Sequence, residues 1–185
     1  LPNVSERPIH ILRAEIPGPT VGKLVPRIKD TALILYLIYI GMTVIETIML
    51  LFGGMSFFES LLHAFGTAGT GGFGIKRDSI AGYSPYIQWV ITAFMILFGI
   101  NFNLYYLMLL KKFKAVVTST ELWAYLGIIA SSIAVISWNI RHLFVGAEET
   151  VRAAAFQVSS IISTTGYATT DFNLWPNLSK NILLI

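Results

Sequence analysis

The sequence predicts an all-α membrane protein made of repeated membrane-pore-membrane units, with re-entrant pore helices that end in Thr/Gly filter loops. Three observations carry this class. Hydrophobic residues make up 55% of the 185 and charged residues 12%, with a mean hydropathy of +0.68, whereas soluble domains carry about 25% charged residues. Long apolar runs alternate with apolar runs too short to cross a bilayer. Each short run opens into a Thr/Gly stretch, Phe65-Gly66-Thr67-Ala68-Gly69-Thr70-Gly71-Gly72-Phe73-Gly74 and later Ser163-Thr164-Thr165-Gly166-Tyr167-Ala168-Thr169-Thr170.

Composition also excludes several classes. The chain has no cysteine, so neither a disulfide framework nor a thiol metal site is available, and its three histidines, His10, His63 and His142, are too scattered for a transition-metal cluster. Its net charge of +3 matters less than where that charge sits. Arg7, Arg13, Lys23, Arg27 and Lys29 precede the first long apolar run, and Lys111, Lys112 and Lys114 follow the second. This is the positive-inside pattern twice over, and it places residues 1–30 and 111–120 in the cytoplasm and the Thr/Gly loops outside. Basic residues interleaved with aromatics are absent, so nucleic acid is not an expected partner. The chain starts without Met and without a signal-peptide pattern, and it stops inside a new apolar run, so it reads as an internal piece of a longer polypeptide.

Taken in order, residues 1–30 form a polar cytoplasmic lead-in. Pro17 and Pro19 break any helix there, and Val21 to Asp30 is either a short interfacial helix or a solvated linker. Asp30 or Thr31 is expected to cap a span from about 32 to 52, whose Glu46 must face protein or a wet cavity to avoid lipid. Gly53-Gly54 ends it. A pore helix over about 55–65 and a filter loop over 66–74 follow, and Lys76-Arg77-Asp78 brings the chain to the outer surface. The next span runs from about 86 to 110 and carries Gln88, Asn101 and Asn103, of which at least one of the two asparagines should find a protein partner. Residues 31–114 thus read as one complete unit. A second, truncated unit covers 115–185: a span at about 122–140 with Trp123, Tyr125 and Trp138 at its ends, a pore helix at about 149–162 led by Glu148 and Glu149, a filter loop at 163–170, and a new span from about 178.

The two units can be laid over each other with Gly71 on Gly166, a shift of 95, or with Gly72 on Gly166, a shift of 94 that pairs Phe73 with Tyr167. Either register supports one architecture used twice. A cation leaving water needs several oxygens at once, and irregular backbone at membrane depth is tolerated only where it is enclosed or lines a wet cavity. The expected ligands are main-chain oxygens from Ala68, Gly69, Thr70 and Gly71 in the first loop and Ser163, Thr164, Thr165 and Gly166 in the second, with Gly72 and Tyr167 completing the two filter segments. Two rival readings exist. Gly69, Gly71 and Gly74 match the G-x-G-x-x-G dinucleotide fingerprint, which would make a nucleotide-binding membrane enzyme, yet that motif belongs after a strand and at the head of a helix. A helix-packing or assembly module without a pore explains Gly53, Gly54 and Gly99 but not a repeated helix-plus-loop unit.

Gly18-Pro19-Thr20 through Lys23-Leu24 and Pro26-Arg27-Ile28, then His63-Ala64-Phe65 leading to Thr70-Gly71-Gly72-Phe73, then Ser163 to Tyr167 through Thr170-Asp171-Phe172, together resemble the Trk/Ktr/HKT superfamily of potassium transport proteins, the TrkH-type membrane subunits above all. The resemblance covers nearly the whole chain. It implies one polypeptide of four such units around a single pore in the cell membrane, with this chain supplying two of four filter segments, and a transporter of K+ instead of an enzyme. By that match the filter glycines are Gly71 or Gly72 and Gly166, K+ is the transported ion at the filter residues, and no organic cofactor is needed. A Na+-permeable or Na+-coupled member of the same superfamily is the alternative. The resemblance further implies the remaining units of the same polypeptide, a homodimer and a cytoplasmic nucleotide-binding regulatory subunit as partners.

Overall fold

The structure is a computed structural model describing residues 25–184, and the proline-rich lead-in before them lies outside the described residues. Helix α1 (Val25–Phe52) is 28 residues long, about 42 Å at 1.5 Å per residue, enough to cross the hydrocarbon. Its backbone is helical without a break through residues 25–30, so the cap expected at Asp30 or Thr31 does not form, and these residues extend the helix ahead of the apolar stretch Thr31–Phe52 that is long enough to cross. The one breaker there, Pro26, falls in the first turn, where its missing N–H costs nothing.

Gly53 ends α1 at a close approach, because a Cβ there would lie 2.7 Å from Ile87 Cγ1. Helix α2 (Phe57–Ala68) then starts at a capping box in which the Ser56 hydroxyl accepts from the Glu59 N–H and the Glu59 carboxylate accepts from the Ser56 N–H. Its 12 residues reach about 18 Å and cannot cross. It runs past the expected end at Phe65, and Gly66, Thr67 and Ala68 are helical. The Thr67 hydroxyl bonding the His63 carbonyl at 2.9 Å and the Gly69 N–H bonding the Phe65 carbonyl at 2.8 Å close that last turn.

The second span is not the single helix the hydropathy predicts. Helix α3 (Pro85–Phe98), capped by Ser84, and helix α4 (Phe102–Leu109) meet at an angle of 86°. The break has local causes. The Asn101 side chain accepts from the Asn103 N–H and starts a new helix, while the Tyr125 hydroxyl occupies the space a Cβ on Gly99 would need. The carbonyls released at the break are taken up by Tyr105, which donates to Leu97 O at 2.7 Å, and by Tyr125, which donates to Ile96 O at 3.2 Å, so the freed backbone groups keep partners. Asn101 also donates to the Glu121 carboxylate of the next span at 3.2 Å. An aromatic run, Tyr39–Phe98–Phe102–Tyr105, holds α4 back against α1.

Helix α5 (Phe113–Val117) leads into α6 (Thr120–Ile140), the second helix long and apolar enough to cross by itself. Helix α7 (Ala147–Ile162) returns part-way, a 3-10 turn covers Phe172–Leu174, and α8 (Asn177–Leu184) opens the last run. No strand occurs among the described residues. The two units share one core. Leu50, Ile91, Phe94 and Met95 of the first pack with Phe156 and Tyr167 of the second, and buried Ala153, Ala154 and Ala155 let α7 lie close to its neighbours. Near the start of both helices Arg152 of α7 donates to Gln88 Oε1 of α3, and the Glu148 carboxylate accepts from Arg152 and from Trp89 Nε1, each at 2.9 Å. Gln88 in turn donates to the carbonyls of Ile80, Ala81 and Tyr83.

Candidate functional site

The two Thr/Gly loops fold alike, residue by residue. In the first, the N–H groups of Gly69 and Thr70 bond Phe65 O and Thr67 O, and those of Gly71 and Gly72 both bond Gly66 O, at 2.8 and 3.4 Å. In the second, Ser163 and Thr164 bond Ser159 O and Ile161 O, and Thr165 and Gly166 both bond Ser160 O, at 2.9 and 3.3 Å. Every donor and every acceptor is displaced by 94 positions. Left-handed backbone repeats at the same shift: φ is 49° at Thr70 and 58° at Thr164, and 62° at Gly72 and 85° at Gly166. The geometry therefore selects between the two registers, and the residue equivalent to Gly166 is Gly72, not Gly71.

This folding aims oxygens in one direction. In a planar trans peptide the C=O points opposite to the following N–H. Because the N–H groups of residues 69–72 turn back to α2, the carbonyls of Ala68, Gly69, Thr70 and Gly71 turn away from its end, and by the same rule those of Ser163, Thr164 and Thr165 turn away from α7. Both helices present their C-terminal, partially negative ends to these loops. Tyr167 is the exception, because its carbonyl accepts from the Ser160 hydroxyl at 2.6 Å and so turns back to α7. Gly72 is the point where the loops meet, since a Cβ there would collide with the Thr165 carbonyl oxygen and lie 3.1 Å from Gly166 C. Just beyond, the Ile80 N–H bonds Ala168 O at 3.0 Å and the Ala168 N–H bonds Ser79 Oγ at 3.2 Å, tying the exit of one loop to the other.

Among the described residues no group of three or more His, Cys, Asp or Glu comes together to hold a metal ion. Nucleotide binding finds no support. The Gly69-Gly71-Gly74 stretch follows the C-terminus of a helix, where the macrodipole repels phosphate, and lacks the strand-to-helix turn that would cradle it. Glu46 is wholly buried, and neither of its carboxylate oxygens has a hydrogen-bond partner among the described residues. His63, Gly66 and Ser160 support the loops from behind, Gln88 and Arg152 hold the 80–83 segment whose Ile80 N–H bonds Ala168 O, and none was singled out from the sequence for that work. A glutamine and an arginine within or beside otherwise apolar helices were the available signal.

A family model described as TrkH, cation transport protein, matches residues 9–131. The Trk system potassium uptake protein TrkH of Escherichia coli strain K12 is 32% identical over 191 aligned residues, which are 100% of this chain and 39% of that protein. TrkG of the same strain is 28% identical over 95% of this chain and 37% of its own length. The crystal structure of the potassium transporter TrkH from Vibrio parahaemolyticus matches with a TM-score of 0.81 at 27% identity, over 95% of this chain and 39% of that one. The chain thus spans 39% of the length of the E. coli TrkH it aligns with.

Proposed function

The chain belongs to the TrkH family of cation transport proteins, and on that premise we propose that it supplies two of the four filter segments of a pore that takes up K+ across the cell membrane. One observation carries the reading: two loops of identical hydrogen-bond pattern and identical left-handed positions turn their carbonyls off the ends of two short helices and meet at Gly72. A ring of such carbonyls replaces the hydration shell of a cation without fixed charge. On this reading the ion is held by main-chain oxygens of Ala68, Gly69, Thr70 and Gly71 and of Ser163, Thr164, Thr165 and Gly166, with Gly72 and Gly166 as the equivalent filter glycines. Residues 31–114 and 115–185 are then one complete and one partial membrane-pore-membrane unit.

The remaining parts of the reading follow from the family. The other two filter segments come from further units of the same polypeptide, two copies associate as a dimer, and a cytoplasmic nucleotide-binding subunit docks on the basic cytoplasmic face. Lys111, Lys112 and Lys114 mark that inner face, and the loops open outward. The test is Gly166→Ser in the full-length protein reconstituted in liposomes, with K+ and Na+ uptake measured side by side. A lowered K+/Na+ ratio is expected, and an unchanged ratio at equal protein would refute the filter role.

A further inference from the structure

The repeat equates Tyr167 with Phe73, yet Tyr167 is 1% exposed and Phe73 79% exposed. The Tyr167 side chain leaves its own unit and enters the space behind α2. Its hydroxyl stands where a Cβ on Gly66 would be and lies 3.2 Å from His63 Nδ1, with the two rings 5.6 Å apart. The surrounding groups favour one order of protons. Tyr83 donates its O–H to Glu59 Oε1 at 3.4 Å, so its oxygen accepts from His63 Nε2–H, also at 3.4 Å. The lone pair then sits on Nδ1, and the Tyr167 O–H donates to it at 3.2 Å, with the His63 carbonyl at 3.4 Å as its other acceptor.

Gly66 links this pair to the first loop. Its carbonyl accepts both the Gly71 and the Gly72 N–H, so the Tyr167 hydroxyl abuts the residue that holds those two amides in place. We propose that Tyr167 is a positioning residue for ion selectivity, its side chain propping the second filter loop against the first through His63 and Gly66. The proposal rests on the reading of the loops as a filter. Where cavity size sets the selectivity, a ring of carbonyls keeps its preference for the larger ion only while its strands are prevented from closing around a smaller one. A rigid aromatic wedged between one strand and the helix behind the next does that, and the hydrogen bond to His63 fixes its depth.

The test uses the full-length protein in liposomes, with K+ and Na+ uptake compared at equal protein. Tyr167→Phe lowers the K+/Na+ ratio about tenfold, the scale of one buried acceptor left unpaired. His63→Phe does the same, and the double variant loses no more than either alone. His63→Gln, which retains an acceptor, recovers part of the ratio. Gly66→Ala also lowers the ratio, and adding Tyr167→Phe to it relieves part of that loss by removing the colliding hydroxyl. A fall of K+ and Na+ uptake in proportion, with the ratio preserved, would make Tyr167 merely structural and overturn the proposal. Gly166→Ser changing the ratio while Tyr167→Phe leaves it alone overturns the prop only, and both leaving it unchanged overturns the filter reading together with the prop.

Discussion

Replacing Gly72 by alanine adds together two costs that Gly71→Ala does not share. At Gly72 the backbone is left-handed, φ 62°, which costs an L-residue about 1–2 kcal/mol. The new Cβ also runs into the Thr165 carbonyl oxygen and stands 3.1 Å from both Gly166 C and Thr165 C, all backbone atoms held by the Ser160 carbonyl from behind. Overpacking against atoms that cannot yield costs about 1–3 kcal/mol more. A Cβ on Gly71 is crowded by the Phe73 ring alone, 3.2 Å from Cδ2 and 3.5 Å from Cε2, with the Gly66 carbonyl at an ordinary 4.0 Å, and that exposed ring can swing aside. Since about 1.4 kcal/mol is tenfold, Gly72→Ala should cut K+ uptake about thirtyfold or more at equal protein, and Gly71→Ala only a few-fold. Uptake of radiolabelled Rb+ into liposomes holding the full-length variants is the assay. If Gly71→Ala is the more damaging of the two, the register that equates Gly72 with Gly166 is wrong, and the filter geometry drawn from it fails too.

The remaining predictions concern the supports of the loops. Glu46→Met replaces a fully buried carboxyl that lacks a partner with an apolar side chain of similar volume, which removes a penalty of about 1–3 kcal/mol. The melting temperature of the detergent-solubilised protein should therefore hold or rise, and a fall of several degrees would show that the carboxyl has a partner in the complete protein. The Glu148 carboxylate is held below its ordinary 4.5 by hydrogen bonds from Arg152 first and Trp89 second. Its folded-state pKa lies under its unfolded value, so the bridge between α7 and α3 is complete above pH 4.5 and disappears as pH falls through the folded value. The Trp89 emission, taken as the difference between wild type and Trp89→Phe, should shift only below that pH, and a shift already finished above it would refute the bridge.

Hydropathy and loop composition were enough to class the chain as an all-α membrane protein of repeated units and to separate long helices from short ones, because a helix satisfies its own backbone and its length is a local property. They did not reveal that the second span breaks after Phe98. The residues from Tyr86 to Leu110 are apolar enough for one helix, and the break depends on the Tyr125 hydroxyl arriving from the next span and on Asn101 choosing to cap. Likewise the end of α2 was set too early at Phe65, since glycine and threonine read as loop when their neighbours are unknown, whereas Thr67 finds His63 O within its own helix.

The filter register shows where the division lies. By composition both Gly71 and Gly72 face Gly166, and nothing in the order of residues prefers one. Which of them carries the left-handed backbone follows from which carbonyl receives their two N–H groups, and that is Gly66, the counterpart of Ser160. The pairing of Tyr167 with His63, 104 positions apart, is of the same kind. Sequence by itself determined the elements and their repetition, because burial pattern and chain length are written locally. The tertiary structure alone decided which glycine sits at the meeting of the loops and what braces it, because those depend on carbonyls and side chains that only packing brings together.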